Sequence, residues 1–175
     1  MNTNFLIEAL KYLGEDVLLS KLSPVFFVNQ YQGGVLLRRG KFCRDLQVGW
    51  NFKIPIVDRF LTCTSTLETV LIANVNITTK DGKAITVSTS FEYHIHNPKQ
   101  FLLDTNDAPS NIKDVAMGCI ADCLIDCEWD DISKRKTNNA IKKTLNQELN
   151  QYGVTVTRFW FTDVITTKVF TLFQQ

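Results

Sequence analysis

The apolar pattern of this chain changes period at Asn97-Pro98, and that change limits the possible architectures more than any single motif does. Before it, two-residue alternation and runs rich in Val, Ile and Thr dominate; after it, three- and four-residue spacing takes over. Residues 28–55, VNQYQGGVLLRRGKFCRDLQVGWNFKIP, read as a strand, a basic turn and a second strand. Val35 to Leu37 form a short apolar run, which Arg38-Arg39-Gly40-Lys41 interrupts with charge and a glycine free to turn. From Leu46 the residues alternate. Leu46, Val48, Trp50, Phe52 and Ile54 fall on one side and Gln47, Gly49, Asn51 and Lys53 on the other, the pattern of a half-buried strand. Pro55 ends it, having no N–H to give to a ladder. Lys80-Asp81-Gly82-Lys83 is an Asp-Gly turn between 75–78 and 85–87, a strong hairpin signal. Val87, Thr89, Phe91, Tyr93 and Ile95 then share one face, and Ser88, Ser90, Glu92, His94 and His96 the other.

Beyond the change, residues 111–128 predict a helix with Ile112, Val115, Cys119, Cys123 and Cys127 along one side and Ala116, Ile120 and Leu124 beside them. Residues 132–152 predict a second helix, with Ile141, Leu145, Leu149 and Tyr152 as its apolar stripe and Gly153 at a left-handed C-terminal cap. Residues 154–165 read as a closing strand. At the other end, Leu6, Leu10, Leu13 and Val17 recur at helical spacing, and Pro24 closes the segment. The sum is an α+β fold: a mostly antiparallel sheet with packed helices and an N-terminal amphipathic helix. The expected divisions are 1–24 for that helix, 25–98 for the strand-rich part and 99–175 for the helical part with its closing strand.

Several function classes drop out. A formal net charge of +1 gives no bulk attraction to nucleic acid, and none is expected as a partner. No run of about twenty apolar residues is present, so no membrane-spanning helix is expected. The N-terminus also lacks the basic leader and cleavage site of a secretory signal. Five cysteines without framework spacing read as reduced thiols. Cys119, Cys123 and Cys127 fall at i, i+4 and i+8, which puts three sulfurs on one stripe, but that stripe coincides with the apolar seam and reads as core packing. His94 and His96 project to one face without a visible third ligand. Gly33 to Lys41 fails the Walker pattern, because Val35 and Phe42 stand where Gly and Ser or Thr are needed. No nucleophile sits beside a base and no cofactor fingerprint occurs, so no enzyme, metal or cofactor is expected.

What is left looks built to touch. The candidate membrane- or partner-contact residues are Leu6, Leu10, Leu13 and Val17 on the N-terminal stripe, with Phe26, Phe27, Val48, Trp50 and Phe52. Tryptophan suits an interface, since its ring is apolar and its N–H stays wet. The plainer alternatives are a helix packed on its own domain and aromatic side chains that fill the sheet's own core. Arg38, Arg39, Lys41 and Arg44 are candidate anion contacts, with a solvated turn as the alternative.

Five elements in register resemble the SPFH, or band 7, family of stomatin, prohibitin, flotillin and HflK/HflC. Residues 31–41, YQGGVLLRRGK, look like the family's opening element, and Val48-Gly49-Trp50-Asn51-Phe52-Lys53-Ile54-Pro55 with Ile56-Val57-Asp58 is similar to its "PGL-H-F-IP" element. Thr79-Lys80-Asp81-Gly82 resembles its "T-D" turn, residues 91–98, FEYHIHNP, its "V-YRI-DP" strand, and Tyr152-Gly153-Val154-Thr155-Val156 through Asp163-Val164 its "YGI-V … DI" ending. The proline that commonly follows that ending is replaced by Thr166-Thr167. The resemblance covers roughly residues 25–170 and implies a non-catalytic scaffold subunit that self-associates as a homo-oligomer at a membrane surface. It further implies that the N-terminal part of the domain sits against the cytoplasmic leaflet, which makes the protein cytoplasmic and peripheral to the membrane. The chain reads as a minimal member, without the family's transmembrane anchor or coiled-coil tail. The alternative is a soluble structural or assembly component of a larger, virus-encoded particle, with the N-terminal helix docked on a protein neighbour.

Overall fold

The computed structural model of the chain describes residues 23–132 and 134–166, which fall into two compact units meeting at Thr64 and Ser65. The N-terminal helix expected over 1–24, with Leu6, Leu10, Leu13 and Val17, lies outside the described residues apart from Ser23 and Pro24.

The first unit is built of strands. β1 (Val25–Val28) pairs antiparallel with β4 (Gly49–Phe52), while β2 (Gln32–Arg38) lies between β3 (Lys41–Asp45) and β5 (Asp58–Thr64), antiparallel to both. The basic turn between β2 and β3 is formed by Arg39 and Gly40, at φ 50° and 78°, the paired positive values that tight hairpins favour. Val28, Leu36 and Leu46 make the core, Phe26 packs against it, and Phe26 stacks on Phe60 at 4.4 Å between ring centroids. The alternation from Leu46 to Ile54 is there, and of its two sides the apolar one faces outward along β4. Leu46 is buried outside the strand, whereas Val48, Trp50, Phe52 and Ile54 face outward and the polar Asn51 is only 2% exposed. Asn51 tolerates burial because its amide is satisfied locally: Nδ2 donates to the carbonyls of Gln47 at 2.6 Å and Gly49 at 3.1 Å.

The second unit is a three-stranded antiparallel sheet in the order β6 (Glu68–Thr78), β7 (Ala84–Ile95), β8 (Val154–Thr166). The hairpin between β6 and β7 turns at Gly82, φ 77°, as its Asp-Gly pair predicts. Val87, Thr89, Phe91, Tyr93 and Ile95, which the sequence groups on one face of β7, are all buried, and Ile85 extends the row. Helices α1 (Pro98–Leu103), α2 (Ala108–Ile125), α3 (Trp129–Ile132) and α4 (Arg135–Leu149) follow, with a 3-10 turn over Asn150–Tyr152. α2 packs on α4 and β6, and α4 on β8. The α+β class with antiparallel pairing is therefore as the sequence predicts.

Three local differences have physical causes. The buried seam of α2 is Ile112, Ala116, Ile120 and Leu124, one residue round from the cysteines, which sit half-buried on its flank. Cys127 lies past the end of the helix, where its thiol donates to the Cys123 carbonyl at 3.1 Å. In place of the single helix expected over 132–152, α3 ends at Ile132, α4 begins at Arg135 and a 3-10 turn follows it, and the Thr137 hydroxyl donates to the Asp131 carbonyl at 2.6 Å between the two helices. The unanticipated α1 grows directly from the dipeptide that ends β7. Asn97 caps it by accepting from the Gln100 N–H at 3.3 Å, and Pro98 fills a first-turn position that has no N–H to satisfy.

At the outer edge of the sheet, the Asn146 side chain brackets Val156. Its Nδ2 donates to the Val156 carbonyl at 3.1 Å and its Oδ1 accepts from the Val156 N–H at 2.7 Å, so a side chain stands where a fourth strand would pair.

Candidate contact surface

Register decides which side chains of the first unit are offered outward. In the β1–β4 ribbon Val25 lies opposite Phe52 and Phe27 opposite Trp50, and directly opposed residues share a face. Phe26 and Val28 point the other way, into the core with Asn51. The outward face therefore carries Phe27, Trp50 and Phe52, with Trp50 at 73% and Phe52 at 70% exposure, and Phe27 edge-on to Trp50 at 5.5 Å. Exposed Val48 and Ile54 extend the stripe at either end of β4. Of the contact candidates from the sequence, Phe27, Val48, Trp50 and Phe52 lie in this patch. Phe26 does not.

The stripe runs on into a loop that sequence periodicity misses. Ile56 is 92% exposed and holds φ 71°, a left-handed conformation that costs a β-branched residue roughly 1–2 kcal/mol and persists only when its surroundings impose it. Asp58 imposes it. Its Oδ2 accepts from the Ile54 N–H at 2.9 Å and its own N–H donates to the Ile54 carbonyl at 2.9 Å, closing the loop on itself. Arg38 grips the same carboxylate with both arms, Nε to Oδ1 at 2.8 Å and Nη2 to Oδ2 at 3.0 Å, and the Asp58 side chain is 0% exposed. The available sequence signal was two isoleucines flanking Pro55, in a turn where polar residues are usual.

The four anion candidates separate on this geometry. Arg38 is committed to Asp58, and Arg44 donates to Asn51 Oδ1 at 3.4 Å and to the Phe52 carbonyl at 3.2 Å, under the ribbon. Arg39 and Lys41 are exposed at the hairpin turn, where the Arg39 N–H donates to the Val57 carbonyl at 3.0 Å, beside the Ile56 loop. Arg59, exposed and next to Asp58, stands at the same end of the sheet because it pairs with Leu37.

The Arg38 guanidinium, then the Ile54 N–H, hold the Asp58 carboxyl down at about 2 against an ordinary 3.8. With the folded value below the unfolded one, the stabilisation is complete above pH 3.8 and is lost as pH falls through about 2. Acid titration followed by Trp50 fluorescence, with Trp129 and Trp160 replaced by Phe, should show the loop loosening in that window, and Arg38→Gln should move the transition to higher pH. An unmoved transition would mean that the pair does not hold the loop.

Elsewhere the chemistry is sparse. His94 Nδ1 lies 3.4 Å from the Thr157 hydroxyl and His96 Nδ1 3.0 Å from the Thr155 hydroxyl, so each histidine has its own strand neighbour. Burial, first of all, pushes the Cys119 and Cys127 thiols up, away from the reactive thiolate. Among the described residues no group of three or more His, Cys, Asp or Glu is placed to hold a metal ion, and no helix is long and apolar enough to cross a membrane.

Comparison with known proteins adds the family. The model of the SPFH domain / Band 7 family matches residues 26–172. An uncharacterised protein of Archaeoglobus fulgidus is 24% identical over 150 residues, which cover 85% of this chain and 60% of that protein. One of Methanocaldococcus jannaschii is 23% identical over 146 residues, 82% of this chain and 73% of its own length. Protein HflK of Vibrio cholerae is 24% identical over 132 residues, 74% of this chain but 33% of HflK. The chain thus spans a third of HflK and under two thirds of the Archaeoglobus protein.

Proposed function

Because this chain belongs to the SPFH domain / Band 7 family, we propose that it is a non-catalytic scaffold subunit that self-associates at a membrane surface, with the first unit facing the lipid. Family membership supports the scaffold role. The observation that carries the membrane side is the outward aromatic face of the β1–β4 ribbon: Phe27, Trp50 and Phe52 exposed together, continued by Ile54 and Ile56. Apolar side chains grouped on a surface mark an interaction site, and large aromatic rings suit the headgroup boundary. A strand with its apolar side outward and an asparagine inside is hard to reconcile with a free, solvated surface.

Mass photometry of the full chain, with and without lipid nanodiscs, tests the proposal. Discrete oligomers forming on nanodiscs are expected. A monomer indifferent to lipid at all concentrations would overturn it. Trp50→Ala with Phe52→Ala should lower vesicle affinity at least about a hundredfold, since each ring transferred from water contributes on the order of 1.5–3 kcal/mol. Ile56→Gly removes the apolar tip while suiting its positive φ, so weaker lipid binding by that variant would not reflect lost folding.

A further inference from the structure

We infer that the contact surface of the first unit selects anionic phospholipid, through Arg39, Lys41 and Arg59 set around the Ile56 tip. This rests on the membrane reading above and adds the headgroup chemistry to it.

Charge in this chain is segregated. Residues 23–64 hold Arg38, Arg39, Lys41, Arg44, Lys53 and Arg59 against Asp45 and Asp58, a net +4, whereas the whole chain carries +1 and the remainder therefore −3. The near-neutral total hides a basic unit, and it is this unit that bears the exposed aromatic face. The carboxylates do not offset the local field at the tip. Asp58 is enclosed and ion-paired with Arg38, and Asp45 lies at the far end of β3 from the hairpin turn.

The three cations and the apolar tip share one end of the sheet. Lys41 pairs with Arg38 in the β2–β3 register, Arg38 pairs with Asp58 in the β2–β5 register, and Arg39 is bonded through its backbone to Val57. Arg59 follows Asp58 in β5. An apolar residue presented by a clamped loop, with long basic side chains around it, fits a surface whose outer layer is negative and whose interior is hydrocarbon. The isoleucine enters the acyl boundary, while the guanidinium and ammonium groups stay at phosphate level on their aliphatic stems. A protein partner presenting both a deep apolar layer and a continuous negative rim is a more demanding match.

Each basic residue near an anionic leaflet is worth about fivefold in affinity, the equivalent of about 1 kcal/mol. Co-sedimentation of the full chain with phosphatidylcholine vesicles, with and without phosphatidylserine, reads this directly. The expected result is tighter binding to the serine-containing vesicles, a preference that fades with added salt. R39Q/K41Q/R59Q should cost roughly a hundredfold on those vesicles and leave phosphatidylcholine binding unchanged. K142Q/K143Q, on α4 of the second unit, should change neither.

Equal binding of the wild type to both vesicle types overturns this inference and leaves the membrane reading standing. Binding to neither overturns both. An equal loss from K142Q/K143Q would mean that net charge is read and not this site, and would also overturn the inference. So would a loss by the triple variant on phosphatidylcholine as large as that on the serine-containing vesicles.

Discussion

Phe91→Ala should be the most damaging single substitution in the second unit, costing about 3–5 kcal/mol. Phe91 is wholly buried in the central strand β7, flanked in register by Val70 of β6 and Phe159 of β8, and its ring lies 6.1 Å from that of Tyr93. Truncation empties the middle of the sheet, and strands paired on both sides cannot close over the void as a surface loop does. For a unit of roughly 100 residues this is a drop in melting temperature on the order of 20 °C. Trp160→Ala is the contrast. Trp160 lies opposite Ser90 on the uncovered side of the sheet, half-buried under the Arg158 guanidinium 5.3 Å above its ring, and its loss should cost about 1 kcal/mol. Differential scanning calorimetry of the two variants decides the matter. Similar melting shifts would show that Phe91 is not the centre of this core.

The second large effect is expected at Gly153, where backbone angle and space both demand glycine. It sits at φ 72°, and a Cβ there would lie 2.5 Å from the Asn97 carbonyl oxygen and 3.1 Å from the Cβ atoms of Asn97 and Gln100. Its own carbonyl accepts from both His96 and Asn97 N–H at 3.0 Å, so the joint between β7 and β8 passes through it. Gly153→Val therefore meets a conformational penalty of about 1–2 kcal/mol and a collision worth about as much again, roughly 3 kcal/mol in all. Gly82 separates the two causes. It has the same handedness, φ 77°, with nothing within 4 Å of a Cβ, so Gly82→Ala suffers the angle alone. Chemical denaturation should rank Gly153→Ala well below Gly82→Ala. Equal stability of the two would remove the steric half of the argument.

What the sequence made legible was what local chemistry decides. The Asp81-Gly82 hairpin, the left-handed glycine after the last helix and the inward face of β7 need only a turn rule or a period, and all three are as expected. The cysteine row of α2 is half-buried and not core because two adjacent rows, Val115-Cys119-Cys123 and Ala116-Ile120-Leu124, are both apolar, and the period alone does not say which of them faces inward. In β4 the period marked two unlike faces and left open whether the aromatic one was contact surface or core. Alternation says that two faces differ but not which is inside, and here Asn51 is satisfied by its own neighbours while tryptophan and phenylalanine are left out. Ile56 had no period to reveal it. Its role at the surface rests on a carboxylate two residues on and an arginine eighteen residues back, a pairing that only the folded register brings together. The same pairing separates Arg38 from Arg39, adjacent in sequence and opposite in availability.

The asparagine beside Val156 blocks one end of the β8 edge. An open strand edge is a template, and any chain with a free extended segment will copy onto it. Asn146 already occupies both backbone groups of Val156, so an incoming strand cannot start at that end without expelling it. A strand adding to β8 would therefore have to pair along the stretch from Arg158 toward Thr166. The fold thus carries its own stop codon for sheet extension, written in one side-chain amide.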